Sequence, residues 1–278
     1  GRRLSLSLLD LTSLPGPPDD IFKDAGDHDY KSPSPTVSEK LVRLGEAAEL
    51  FHAPDGAPFA SVPVENHRET IPIRNKAFRL WLKRQYWREY QKVPGGQAMQ
   101  DAVETLAAMA LHDGHEFPVY IRVAAAEEEI CIDLGNDSWQ AVQIAASGWQ
   151  VISDSPVKFR RANGLAPLPL PERGGSIDEL RDFVNISEAD FPLYAAWLVG
   201  ALNPSGPYPI IILNGEQGSA KTTAQRVARR LVDPNKSEFR SATNERDLMI
   251  GAQNSWCLAF DNVSGIKPWF SDAACKLS

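Results

Sequence analysis

The stretch Gly215-Glu216-Gln217-Gly218-Ser219-Ala220-Lys221-Thr222-Thr223 gathers two glycines, a lysine and three hydroxyls in nine residues. Phosphate carries dense negative charge, and glycines let a backbone wrap closely enough to aim several N–H groups and a helix N-terminus at it. A lysine opening the next helix reaches the β- and γ-phosphates, and the hydroxyl beside it ligates Mg²⁺. The spacing therefore makes these nine residues a candidate phosphate loop for ATP, with Lys221 on the phosphates and Thr222 on the metal. The usual pattern has glycine directly before the lysine. Here Ala220 stands there, and its methyl is tolerated where the backbone is already helical.

A second acid fits the first motif. Trp256-Cys-Leu-Ala-Phe-Asp261-Asn262 reads as an apolar strand ending in a carboxylate, 40 residues beyond Lys221. A carboxylate at the end of a strand beside the phosphate loop can hold the Mg²⁺ shell, usually through water. Thr222 and Asp261 are thus the candidate metal ligands, and Lys221, Asp261 and Asn262 the candidate catalytic set. Many ATPases carry a glutamate where this chain has Asn262; an amide orients water but cannot accept its proton.

Elements must position these groups. Residues 209–213 (PIIIL) form a short apolar, β-branched run, the pattern of a strand buried on both faces of a parallel sheet. Residues 221–231 read as the helix that follows the loop. Upstream, residues 177–183 and 187–202 read as helices, the second with Ser187 as N-cap and Asp190 three residues on. Residues 176–278 therefore read as an α/β P-loop nucleotide-binding domain. Alternating prolines at 167, 169 and 171 make residues 165–175 an extended connector.

Residues 37–164 read as a smaller α+β domain. Helical periodicity spans 38–51, 75–92 and 97–111, and strand signals follow at 119–123, 130–134, 141–144 and 149–152. Helices first and strands later predict a sheet with its helices on one side. The proline-rich residues 1–36 read as a linker or the tail of an upstream domain.

The chain as a whole is mildly acidic, with 29 basic against 36 acidic residues, so any nucleic-acid surface must be local. One segment qualifies. Arg74, Lys76, Arg79, Lys83, Arg84, Arg88 and Lys92 face a single acid, Glu89, a +6 segment in a chain of net charge −7. On a helix, Arg84, Arg88 and Lys92 share one stripe, while Phe78, Trp81, Leu82 and Tyr86 form an apolar side. Arg79, Lys83, Arg84, Arg88 and Lys92 are the candidate contacts to single-stranded or duplex DNA. The competing reading is a solvated amphipathic helix whose aromatics belong to the core. Lys158, Arg160 and Arg161 form a second, smaller basic cluster.

Cys131, Cys257 and Cys275 show neither metal-site spacing nor a disulfide framework and read as reduced core thiols. The five histidines show no metal pattern. No run reaches the roughly 18 apolar residues of a membrane span, so a soluble, cytoplasmic protein is expected.

Together GEQGSAKTT, the run 244–249 (NERDLM), and LAFDN continuing into Pro268-Trp-Phe-Ser-Asp272 resemble bacterial and phage-type P-loop ATPases of the virulence-associated or primase–helicase kind. These are similar to superfamily 3 helicases of phages, plasmids and viruses. The resemblance is clearest over residues 176–278. It implies a RecA/AAA+-like core that assembles as a homo-oligomeric ring and couples ATP turnover to movement on DNA. By position it makes Lys221 and Thr222 the Walker A residues, Asp261 the Walker B acid and Asn262 its polar neighbour. Similar proteins continue past the counterpart of Ser278 with a Gly-rich segment, a sensor motif and arginines, so the ATPase domain is expected to be C-terminally incomplete. Residues 8–20 resemble the tail of a Toprim-type primase domain, which implies a primase ahead of this piece.

Three function classes follow. The first is an ATP-driven motor core, a helicase or primase-associated ATPase, in replication of mobile or phage-like DNA. The second is an ATP-dependent switch or scaffold with little turnover, which Asn262 and Ala220 favour. The third, small-molecule phosphotransfer, leaves the basic segment unexplained.

Overall fold

In the computed structural model, which describes residues 34–241, 244–263 and 265–278, the chain divides into the units Gly1–Thr36 and Val37–Ser278. The proline-rich start and the primase-like stretch lie outside the described residues. Helix α1 (Val37–Gly45) stops well short of residue 51; at its last residue a Cβ on Gly45 would lie 2.4 Å from Leu106 of α3 (Gly96–His112), so only glycine permits this close approach. The chain crosses α3 there and turns into strand β1 (Glu49–His52). Strands β2 (Pro58–Val64) and β3 (His67–Pro72) follow as an antiparallel hairpin, and β4 (His115–Glu116) joins β1 in parallel, giving the order β3-β2-β1-β4. Helices α1, α2 (Lys76–Tyr90) and α3 bury Leu41, Phe78, Leu82 and Leu106 together with Val62 and Ile73.

The expected strand 119–123 is split. β5 (Val119–Tyr120) pairs in parallel with β10 (Lys158–Phe159), and β6 (Val123–Ala126) opens a second sheet. That sheet is an antiparallel meander, β6-β7-β8-β9, with β7 at Glu129–Asp133, β8 at Ala141–Ala145 and β9 at Gly148–Ile152. Helices and strands therefore interleave rather than following in two blocks.

The connector is pinned at its start. Ala166 donates its N–H to the Pro234 carbonyl at 3.0 Å, Lys236 to Gly164 at 2.9 Å, and Leu168 to Leu134 at 2.8 Å. It thus lies between the meander and the chain leaving α5 (Lys221–Val232).

Beyond the connector a 3-10 helix (Ile177–Asp182) carries the full capping box, Ser176 with Glu179. Ser187 and Asp190 bond each other, but α4 runs over Phe191–Gly200, with Pro192 fixing its first turn. Tyr194 of α4 donates its hydroxyl to the Ala224 carbonyl of α5 at 2.8 Å. Helices α6 (Glu245–Gln253) and α7 (Pro268–Leu277) complete the fold, tied by Lys276 to Glu245 at 2.8 Å.

Residues 209–213 do not form the expected strand buried on both faces. Ile211 and Leu213 pack on the α4–α5 core while Ile210 and Ile212 are exposed. A central strand needs a ladder on each side, and among the described residues none is formed within 176–278.

Candidate nucleotide site

Lys221 and Thr222 occupy the first turn of α5, where the helix N-terminus directs its free N–H groups and partial positive charge at the loop. The loop closes tightly. A Cβ on Gly215 would lie 2.7 Å from Ser219 Oγ, so only glycine fits there without displacement. Gly218 has φ +85°, and a Cβ on it would meet nothing within 4 Å. The helical backbone that would accommodate an alanine is not found at Ala220, which sits in the left-handed region at φ 63°, ψ 24°. That conformation costs a non-glycine residue about 1–2 kcal/mol, which explains why glycine is the usual occupant.

The Lys221 ammonium lies in the loop, donating to the carbonyls of Gly215 at 2.7 Å and Glu216 at 2.6 Å and to Ser219 Oγ at 3.3 Å. Thr222 Oγ1 donates to Asp261, 3.1 Å from Oδ2 and 3.3 Å from Oδ1. The structure thus brings together Lys221, Thr222 and Asp261 across 39 residues of sequence between the last two. Thr223 is exposed, and exposed Asn262 turns the chain at φ 55° while giving its N–H to Asp261 Oδ1 at 2.9 Å.

Other side chains set this geometry. Gln225 donates to the Phe260 carbonyl at 2.8 Å, and Asn185 to the Ser219 carbonyl at 3.3 Å. Gln225 lies one helical turn beyond Lys221, so the i, i+4 rule marks it in the sequence; Asn185 carries no such signal. Asp233, capping the far end of α5, accepts the N–H groups of Trp256 at 2.9 Å and Cys257 at 3.1 Å. Arg229 donates to the Cys257 carbonyl, and Arg240 gives its N–H to Ala259 at 2.9 Å. The strip that carries Asp261 is therefore fastened along α5, and Phe270 of α7 packs edge-on against Phe260 at 5.1 Å.

Burial pushes the Cys257 thiol up to about 11. Cys131 is a buried thiol as expected, whereas Cys275 is exposed. Among the described residues no group of His, Cys, Asp and Glu forms a metal cluster. One hydroxyl, one carboxylate and one ammonium around a glycine-lined loop do fit Mg²⁺ with a polyphosphate, since Mg²⁺ takes few protein oxygens and keeps the rest as water and phosphate.

The basic segment resolves differently. Phe78, Trp81, Leu82 and Tyr86 are core residues, and Arg79 is turned inward to Gln100 Oε1 at 2.6 Å. Arg74 pairs with Glu104 at 2.9 Å. Lys83, Arg84, Arg88 and Lys92 stay exposed. The second cluster is spent on structure: Lys158 pairs with Glu49 at 2.6 Å, Arg161 with Asp133 at 2.7 Å, and Arg160 donates to the Gln253 carbonyl.

Residues 177–278 match the family model of the actinomycete integrative conjugative element replication protein. No curated protein and no solved structure matches the chain. The matched span begins at the 3-10 helix and contains both the candidate phosphate loop and Asp261. The likeness fits a part in the replication of mobile DNA. Among the described residues no helix is long and apolar enough to cross a membrane.

Proposed function

We propose that the chain binds ATP with Mg²⁺ at the loop of residues 215–223 and is the nucleotide-driven core of a helicase-like motor that replicates mobile DNA. The convergence of Lys221, Thr222 and Asp261 carries this reading, because a phosphate ligand and its metal need a cation, a hydroxyl and a carboxylate at one helix start. Lys221 would turn its ammonium from the loop carbonyls to the phosphates. Thr222 and Asp261, already in hydrogen-bond contact, would hold the metal shell. The metal, when bound, supplies charge neutralisation on the phosphate oxygens. A RecA/AAA+-like core, a ring of copies and kinship with superfamily 3 helicases belong to the same proposal; the family matched over this span supports its coarser part, a role in replication of mobile DNA.

A second reading is a nucleotide-controlled switch with little turnover. Asn262 favours it, since the residue beside Asp261 offers an exposed amide in place of a base.

The test is phosphate release from ATP and Mg²⁺, with and without single-stranded DNA, for the chain beside Lys221→Ala. DNA-stimulated turnover lost in the variant supports the motor. Lys221-dependent ATP binding with no turnover favours the switch. No nucleotide binding at all would sink both.

A further inference from the structure

Turning the aromatics of α2 into the core leaves an unexpected remainder on its outer face. Trp87 is 50 % exposed, Leu80 57 % and Val93 68 %. With Lys83, Arg84, Lys92 and Pro94 they line one open shelf of about 260 Å³. Arg88, next to Trp87, is exposed as well. Among the described residues Lys83, Arg84, Arg88 and Lys92 enter no ion pair, in contrast to Arg74 on Glu104 and Lys158 on Glu49. Lys83 and Trp87 stand at i and i+4, so ring and ammonium share one side of the helix.

We propose that this shelf is a binding site for single-stranded nucleic acid, with a base stacked on Trp87 between Leu80 and Val93 and the strand's phosphates on Lys83, Arg84, Arg88 and Lys92. Half-exposed Trp87 with Leu80 and Val93 makes an apolar patch, and a ligand that covers it lies beside four exposed cations. A single strand offers both at nucleotide spacing: flat apolar faces and one negative charge per residue. A duplex hides its base faces in the stack. An acidic peptide matches the charge but leaves the ring unfilled. The placement rests on the replication reading, which comes from residues 177–278, but its chemistry lies wholly on α2 and the turn after it.

The test is fluorescence anisotropy of labelled oligothymidylate with the full chain, without nucleotide, over a salt series. Trp87→Ala is expected to weaken binding about tenfold, the loss of one base–aromatic stack, while Trp87→Phe restores most of it. Lys83→Glu with Arg84→Glu should weaken binding further and flatten its salt dependence; Arg43→Glu, exposed on α1, should change neither. Circular dichroism confirms that each variant is folded. Equal binding by Trp87→Ala and the parent chain overturns the proposal. So does tighter binding of duplex than single strand, or equal competition by polyglutamate or by vesicles of anionic lipid. Binding that Trp87→Ala leaves intact but Lys221→Ala removes places the strand at the nucleotide site instead. If oligonucleotide binds through Trp87 and no ATP binds, the motor reading fails and this one stands.

Discussion

Arg122 and Asp233, 111 residues apart, form an ion pair at 3.1 Å in which neither side chain is more than 1 % exposed. The arginine also donates to the carbonyls of Asp133 and Ala166, both at 2.8 Å, so it binds the end of β7, the connector and the end of α5 at once. The other carboxylate oxygen of Asp233 holds the strip that leads to Asp261. The proposed nucleotide site is thereby anchored in the meander sheet through the helix that begins with Lys221.

Removing one member of such a pair leaves the other charged and buried, which costs about 3–5 kcal/mol. Arg122→Leu is therefore expected to lower the urea midpoint sharply, whereas Arg122→Leu with Asp233→Leu should recover part of the loss. A single variant as stable as the parent would mean that water reaches the pair.

Ala220 carries left-handed strain at the helix start. Ala220→Gly removes it, offset by the greater freedom of glycine in the unfolded chain, for a net gain of up to about 1 kcal/mol. Affinity for ATP with Mg²⁺ should hold or rise, because the loop keeps its shape. Equilibrium unfolding and nucleotide titration of the two proteins decide it; a loss on both would show that the alanine methyl makes contacts the loop needs.

The candidate loop 215–223 could be picked out in the sequence because its residues are close together and each suits one chemical task, and the fold brings Lys221, Thr222 and Asp261 together. Helices α2 and α3 were legible from their long apolar period, and β7 to β9 from alternation between turn residues. Strands β1 to β3 were hidden: β2 contains Pro58 and Pro63, which argue against a ladder, and β3 is polar because it lies at the sheet edge. The run 209–213 misled for the opposite reason, since a continuous apolar sequence says nothing about whether both faces find cover. Composition likewise showed the charge of α2 but not which side of it Trp87 takes, as that depends on which aromatics the sheet buries. The Arg122–Asp233 pair left no local trace at all.

Tyr194 and Cys257 both bind their protons more tightly in the folded chain. Burial is the main cause in each, raising Tyr194 to about 12 and Cys257 to about 11. A raised folded value stabilises fully below the unfolded pKa and the effect is lost as pH rises through the folded one. Stability should thus hold from neutral pH to about 8.5–9, where the free thiol titrates, and fall toward pH 11–12. Unfolding followed against pH checks this: Cys257→Ala should flatten the first part of the fall and Tyr194→Phe the second.

Thr222 and Asp261 touch each other at 3.1 Å, so they should act on the metal as a unit. Thr222→Val removes a ligand hydroxyl and also leaves Asp261 without the donor that orients it. Asp261→Asn keeps the shape and removes the charge. Both variants should bind ATP in the presence of a chelator as well as the parent does, and both should lose the gain that Mg²⁺ brings, about tenfold or more for one charge-assisted contact. Because each disables the same device, the double variant should be little worse than either single one. Lys221→Ala differs in kind: its loss should persist in the chelator, since the ammonium meets phosphate directly. Titration of a fluorescent ATP analogue with and without Mg²⁺ separates the cases. Equal Mg²⁺ enhancement in Asp261→Asn and the parent would remove Asp261 from the metal shell and leave its bond to Thr222 as a purely structural link between α5 and the strip beside it.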